Sequence, residues 1–175
     1  SNVNFQLLKR LQLIQKIENV WSTHAVEDDL IYRVGKAYKF YTSDLPDILV
    51  EEESDQLARA VFTRDREFLG AVIRKEGYSI IGVNGKLFFK SDRTSLIDLQ
   101  SSYLLDYNHE TKITRLISIP KFEIVNEINI WAGFYMTFGG IAYGKDFYTP
   151  GLLYGLDVNN GNIVFSYSIN GESSD

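Results

Sequence analysis

The amino-acid sequence predicts an α+β domain, in which N-terminal helices pack on a mostly antiparallel β-sheet formed by residues after about 77. Three observations predict it. Apolar residues recur at helical spacing before residue 77. Three hairpin patterns follow that residue. The chain has 175 residues, of which 45% are hydrophobic, and this suits a single domain, 1–175, with a sizeable core.

Two segments carry the helical spacing. In residues 4–21 the apolar side chains fall three or four positions apart, and Asn4 can cap the helix. In residues 54–75 the apolar pattern is again helical, and Gly77 should end that helix. Residues 30–41 fit both periods, and Gly35 with the nearby aromatic residues favours a strand.

The strands are predicted from turn chemistry. Asn84-Gly85 separates two apolar runs and is the strongest signal for a tight hairpin, because both residues accept positive φ. A looser hairpin should join 101–105 to 112–119, and a third should join 152–158 to 162–168. Between them, apolar residues on even positions of 122–138 predict one long strand, or two strands broken near Asn126.

The composition of the chain argues against several classes of partner and of binding site. The net charge of −5 disfavours nucleic acid and anionic membranes as partners. The chain has no cysteine, which excludes disulfides and thiolate metal sites. Its apolar runs are far shorter than a membrane span, and no signal segment opens the sequence, so we expect a cytoplasmic protein. Apart from one short nuclease-like match, given below, we find no residue pattern that predicts a cofactor, a metal site or a catalytic centre.

An acidic segment is the first candidate binding site. Within twelve residues six carboxylates occur without one Lys or Arg, so that the rest of the chain is nearly neutral. They are Asp44, Asp47, Glu51, Glu52, Glu53 and Asp55. Such a cluster would steer a basic protein, whereas the alternative is a solvated turn before a helix.

Aromatic residues form the second candidate site. They crowd the region around Gly139-Gly140, and tyrosine suits a surface where one end of the side chain stays wet. Most aromatic residues should be core, but four are predicted to be contact anchors: Tyr143, Phe147, Tyr148 and Tyr154.

A metal-dependent nuclease is a third hypothesis for the function. Asp98 followed by Glu110-Thr111-Lys112 has the outline of a site where two carboxylates hold a divalent cation. Glu110 lies in a polar turn and the chain is acidic, so this short match is weak.

The C-terminal segment resembles a known family. Leu152-Leu153-Tyr154-Gly155-Leu156-Asp157, followed by Asn160-Gly161-Asn162 and the aromatic-rich 163–167, is similar to the hairpin of the SMI1/KNR4-like (SUKH) superfamily. The N-terminal helix and the Leu45-Pro46 step are also similar in outline. The resemblance implies an immunity protein that binds a polymorphic toxin made by the same bacterium.

The sequence therefore predicts a non-catalytic immunity protein that blocks the active site of a cognate toxin, expected to be basic and a nuclease. The alternative is a small-ligand carrier in which the later strands curl around an apolar cavity.

Overall fold

The structure is a computed structural model of the chain and describes residues 22–93 and 95–169. These residues form four antiparallel sheets of four strands, and each strand pairs with its neighbours in the chain. Sheet 1 contains β1 (Thr23–Val26), β2 (Asp29–Val34), β3 (Ala37–Phe40) and β4 (Ile48–Leu49). Sheet 2 contains β5 (Gln56–Phe62), β6 (Phe68–Ile73), β7 (Tyr78–Ile81) and β8 (Leu87–Ser91). Sheet 3 contains β9 (Ser95–Leu99), β10 (Tyr103–Asn108), β11 (Ile113–Ser118) and β12 (Ile124–Ile128). Sheet 4 contains β13 (Ala132–Phe138), β14 (Ile141–Asp146), β15 (Leu152–Asp157) and β16 (Ile163–Ser168).

The predicted α+β class is wrong, because the described residues are all-β, with one short 3-10 turn at Val83–Gly85. The predicted helix over 4–21 lies outside the described residues. The predicted helix over 54–75 is instead the hairpin of β5 and β6.

Burial on both faces explains this error. Along β6, Phe68 and Val72 pack toward sheet 1, whereas Leu69 and Ala71 pack toward sheet 3. A strand that is buried on both faces reads as a continuous apolar run and loses the alternation that identifies a strand. A register shift between Leu57 and Arg59 disturbs the pattern of β5 further.

The three hairpin predictions agree with the structure. Asn84 and Gly85 adopt φ of 56° and 72° between β7 and β8. The looser hairpin is β10 with β11, and the third is β15 with β16, where Gly161 has φ of 73°. The alternating run over 122–138 is two strands, but the break falls after β12 and not near Asn126, since β12 and β13 belong to different sheets.

The sheets stack face to face through three buried apolar clusters. One lies between sheets 1 and 2 and includes Ile31 and Ile48. The next lies between sheets 2 and 3 around Ile80 and Leu104, and the last joins sheets 3 and 4 through Leu156 and neighbouring residues. Burial of these side chains is the main favourable contribution to folding.

A polar network crosses the interface between sheets 2 and 3. Asp106 is fully buried and accepts hydrogen bonds from Arg115 Nε at 2.9 Å and from the Tyr78 hydroxyl at 2.7 Å. Arg115 Nη2 also donates to Ser91 Oγ at 3.2 Å. Burial, followed by the charge of Asp106, raises the pKa of the Tyr78 phenol, which therefore stays a donor. A buried ion pair of this kind is costly to break because either partner alone would be uncompensated.

The first strands of the sheets meet across the stack: β1 contacts β5, β5 contacts β9, and β9 contacts β13. The four sheets thus form an arc whose concave side is lined by first strands. The described residues contain no helix of the length and apolarity that a membrane span requires.

Candidate functional site

A cleft of about 280 Å³ lies between sheets 3 and 4, beside the contact of β9 with β13. First strands supply part of its lining, with Arg59 from β5, Asp98 from β9 and Tyr135 from β13. Tyr107 and Phe147 line it farther along the sheet edge. Three sheets contribute to the cleft, so its geometry depends on how the sheets stack.

Two carboxylates line the cleft, Asp98 and Asp106; Asp106 is paired with Arg115, whereas Asp98 lies beside Arg59. Burial raises the pKa of the Asp98 carboxyl group, while a hydrogen bond from Gln100 Nε2 at 2.8 Å and the charge of Arg59 oppose that rise. A further cation placed in the cleft would favour the ionised carboxylate, because opposite charges at short range stabilise each other.

Tyr107 leaves a polar group unsatisfied beside the cleft. Its hydroxyl is buried and has no hydrogen-bond partner within residues 22–93 and 95–169. Burial, with smaller effects of Tyr148 and Asp146, raises the pKa of its phenol to about 12. The hydroxyl is therefore neutral at ordinary pH and incurs the cost of a buried polar group without a partner.

An aromatic cluster forms the rim of the cleft. Trp131 stacks on Tyr107 with ring centroids 5.7 Å apart, and it packs against Phe147 at 5.5 Å. Lys112 places its Nζ 4.0 Å from the centroid of the Trp131 ring and 5.6 Å from that of Tyr148. This ring face thus accepts a cation in the structure itself.

Asp146 holds the loop that presents the rim. Its Oδ1 accepts hydrogen bonds from the backbone N–H of Tyr148 at 2.8 Å and of Thr149 at 2.6 Å. Its Oδ2 accepts one from the Tyr154 hydroxyl at 3.2 Å. The buried carboxylate therefore fixes Phe147 and Tyr148 at the end of β14, and both rings stay exposed.

The structure places the predicted aromatic anchors on three different surfaces. Phe147 and Tyr148 lie on the rim of the cleft, as described above. Tyr143 lies on the outer face of sheet 4, and Tyr154 points to the opposite face toward Asp146. They do not form one patch, because neighbouring strand positions face opposite sides of a sheet.

The acidic segment connects sheets 1 and 2, and cations of sheet 1 meet it. Lys39 pairs with Asp47 at 2.7 Å, and Lys36 approaches Glu52 at 3.9 Å. Asp55 is buried and accepts a hydrogen bond from the backbone N–H of Glu52 at 3.0 Å. Asp55 therefore cannot face a partner.

Arg33 explains why this segment folds against sheet 1. Its Nη2 donates to the carbonyl oxygen of Glu53 at 2.6 Å, and its Nη1 donates to that of Asp55. Within residues 22–93 and 95–169, the exposed carboxylates of Asp44, Glu51 and Glu53 form no ion pair. The segment thus has a smaller free charge than its sequence predicts.

The proposed nuclease outline has no support in the geometry. Glu110 lies in the turn after β10, where its backbone N–H donates to Asn108 Oδ1 at 3.0 Å. Among the residues that the structure describes, no group of three or more His, Asp or Glu side chains is arranged to hold a metal ion.

Comparison with known proteins identifies the fold. No family model matches the sequence, and no curated protein matches it. Solved structures do match: Hsv2 of Kluyveromyces lactis has a TM-score of 0.64 at 8% identity, over 87% of this chain and 52% of that one. The β-propeller domain of Cps50 (Swd1) from Myceliophteria thermophila has a TM-score of 0.54 at 12% identity, over 81% of this chain and 56% of that one. A Bacteroides caccae protein of unknown function has a TM-score of 0.51 at 16% identity, over 86% of this chain and 61% of that one.

The described residues have a β-propeller-like fold. The chain spans between about half and three fifths of the length of these three solved structures. At these identities the likeness concerns the fold alone, and each sheet of the arc corresponds to one blade of a propeller.

Sequence reasoning missed most of the cleft. Arg59 lies in sheet 2, Tyr107 lies in sheet 3, and Trp131 lies in the loop between β12 and β13, so no local spacing in a single sequence brings them together. Asp98 was singled out only for the nuclease outline. The one usable signal was the concentration of aromatic residues after Gly139-Gly140, which contains Phe147 and Tyr148.

Proposed function

We propose that this chain is a non-catalytic protein-binding domain that takes a basic side chain of a partner into the cleft between sheets 3 and 4. One observation carries the proposal: a partly buried carboxylate and a cation-accepting aromatic rim border the same cleft, with Tyr107 and Phe147 common to both. A cationic side chain satisfies both parts at once.

The size of the cleft supports a side chain over a larger ligand. Pockets for drug-sized ligands range from about 300 to 1,000 Å³, and this one lies at about 280 Å³. A guanidinium group is planar, stacks on aromatic faces and binds a carboxylate through two N–H groups, so arginine matches the cleft better than lysine. The net charge of −5 favours encounter with a basic protein.

Neutralisation of a bacterial toxin is a special case of this proposal. It derives from the SMI1/KNR4-like resemblance, and the α+β architecture that accompanied that resemblance is wrong. The proposal that the chain binds a basic protein does not depend on this resemblance, because the cleft and its rim are defined by contacts among the described residues. The cytoplasmic location stays a prediction in the same way.

Peptide binding tests the proposal. Peptide pools with a fixed central Arg, Lys, Leu or Glu and random flanks should be titrated against the full chain, with Trp fluorescence as the readout because Trp131 lies on the rim. The Arg pool should bind most tightly and the Glu pool least. Asp98→Asn should weaken Arg-pool binding about tenfold or more, about 1.4 kcal/mol, through loss of a charge-assisted contact.

Two matched variants make the test specific. Lys112→Met vacates the Trp131 face and should strengthen Arg-pool binding, whereas Glu53→Gln removes an exposed charge of the acidic segment and should leave it nearly unchanged. Binding should also weaken as pH falls through the pKa of Asp98, because the protonated acid cannot pair with a cation. Equal affinity for all four pools would refute the proposal.

A further inference from the structure

The outer face of sheet 4 is apolar, and none of residues 22–93 and 95–169 forms another sheet against it. Alternate residues of its strands point away from sheet 3 and leave large side chains in solvent, with Phe138 75%, Tyr167 62%, Met136 60% and Phe165 40% exposed. A groove of about 560 Å³ runs across this face. Contiguous apolar surface of this kind marks an interaction site.

The other end of the arc is also apolar. In sheet 1, Val26, Ile31 and Tyr38 pack toward sheet 2. The alternate residues lie on the outer face of sheet 1, and registered pairs there join Ala25 to Leu30 and Val34 to Ala37. The charged Lys39 of this face pairs with Asp47 at 2.7 Å.

Continuity of the stacking indicates what covers these faces. Sheets 1 to 4 are joined by three apolar clusters, each formed by two sheet faces. The outer faces of sheets 4 and 1 are the two ends of that same series. We therefore expect the face of another sheet to pack on each of these two outer faces.

We propose that the outer face of sheet 4 packs on the outer face of sheet 1 of a second copy, and that two copies close into a ring of eight sheets. Eight lies within the range of about 4 to 8 blades found in propellers.

The buried area supports closure over an open pair. The face of sheet 1 limits each contact, because its strands have four, six, four and two residues. At a strand spacing of about 4.8 Å and a rise of about 3.3 Å per residue, that face covers about 250 Å². One contact therefore buries about 500 Å² in total, which is the level of a crystal contact. The two contacts of a closed ring bury about 1,000 Å², the level at which a specific interface begins.

Sedimentation equilibrium of the full chain at micromolar concentration tests the proposal. We expect a mass twice the 20.0 kDa of one chain. Tyr167→Glu and Tyr32→Glu should each halve that mass, because they place a charge on the outer face of sheet 4 or of sheet 1. Leu87→Glu, which changes an exposed leucine of β8 away from both faces, should leave the mass unchanged. Far-UV circular dichroism checks that each variant is folded.

Cross-linking distinguishes the arrangement. The chain has no cysteine, so Tyr167→Cys and Tyr32→Cys each introduce a single thiol. A short bismaleimide should join the two variants when they are mixed and should leave either variant alone without cross-linked dimer. Cross-linking of Tyr167→Cys to itself would overturn the head-to-tail arrangement. A monomer, an open filament, or a monomer that retains a small molecule in native mass spectrometry would overturn the ring.

Discussion

The two faces of sheet 4 differ in what their sequence positions carry. The inner face has Ala142 and Leu156, both fully buried against sheet 3. The outer face has Tyr143, Phe165 and Tyr167 on the neighbouring positions of the same strands, and the last of these is 62% exposed. Both faces are apolar, so hydrophobicity alone does not separate packing from binding. The difference lies in whether another sheet covers the face.

The buried network between sheets 2 and 3 should give the largest effect. Asp106→Ala leaves Arg115 buried without its carboxylate partner, and we expect it to lower the free energy of unfolding by about 3–5 kcal/mol. Urea denaturation followed by circular dichroism measures this. Lys145→Ala on the outer face of sheet 4 is the control and should stay within about 0.5 kcal/mol. Equal effects would contradict the distinction between covered and open faces.

A pair of truncations within sheet 4 tests the comparison directly. Leu156→Ala removes a fully buried side chain and should cost about 2–5 kcal/mol through lost burial and the cavity left behind. Tyr167→Ala should cost less than about 0.5 kcal/mol when the chain is dilute enough to be monomeric. A large cost for Tyr167→Ala at every dilution would show that its ring is packed within one chain.

Two glycines sharpen the comparison further. A Cβ on Gly144 would lie 2.7 Å from Phe134 Cδ1 on the inner face, and one on Gly155 would lie 2.1 Å from Phe165 Cε1 on the outer face. Phe134 is partly buried against the cluster between sheets 3 and 4, so any shift of its ring disturbs that packing, and Gly144→Ala should cost about 1–3 kcal/mol. Phe165 can swing into solvent, so Gly155→Ala should cost less although its contact is closer. Thermal unfolding of both variants at one protein concentration shows which substitution lowers the melting temperature more.

The smallest effect concerns Tyr107 and appears at alkaline pH. Because burial raises its pKa to about 12, the folded chain keeps the phenol proton above pH 10 whereas the unfolded chain loses it. The contribution of the raised Tyr107 pKa to the free energy of unfolding is complete below pH 10, and it is lost as pH rises from about 10 to about 12. Tyr107→Phe removes the loss and should also stabilise the chain at pH 7 by up to about 1 kcal/mol, since the hydroxyl has no partner.

The matched control for Tyr107 is Tyr167→Phe on the outer face of sheet 4. Because that side chain is 62% exposed, Tyr167→Phe should change the free energy of unfolding at pH 7 by less than about 0.5 kcal/mol. Denaturant titrations of the three proteins between pH 7 and pH 12 provide the measurement. An identical alkaline decline in wild type and Tyr107→Phe would contradict the role assigned to that phenol.

The sequence predicted turns well because their chemistry is local. Asn84-Gly85 and Gly161 need only positive φ, which their residue types supply whatever surrounds them. The strands β5 and β6 were mistaken for a helix because packing on both faces removes the period of two. The cleft depends on Arg59, Asp98 and Phe134, which come from sheets 2, 3 and 4 and come together only through the stacking of those sheets. No single-sequence pattern records that stacking.

The consecutive pairing of strands also bears on how the chain folds. Even the most widely separated registered partners, such as Gln56 opposite Ile73, belong to a single hairpin. Each loop that must close is therefore short, so its entropic cost is low and contact order is small for an all-β protein. Hairpins can consequently form in succession as the polypeptide leaves the ribosome, each new sheet adding to the one synthesised before it.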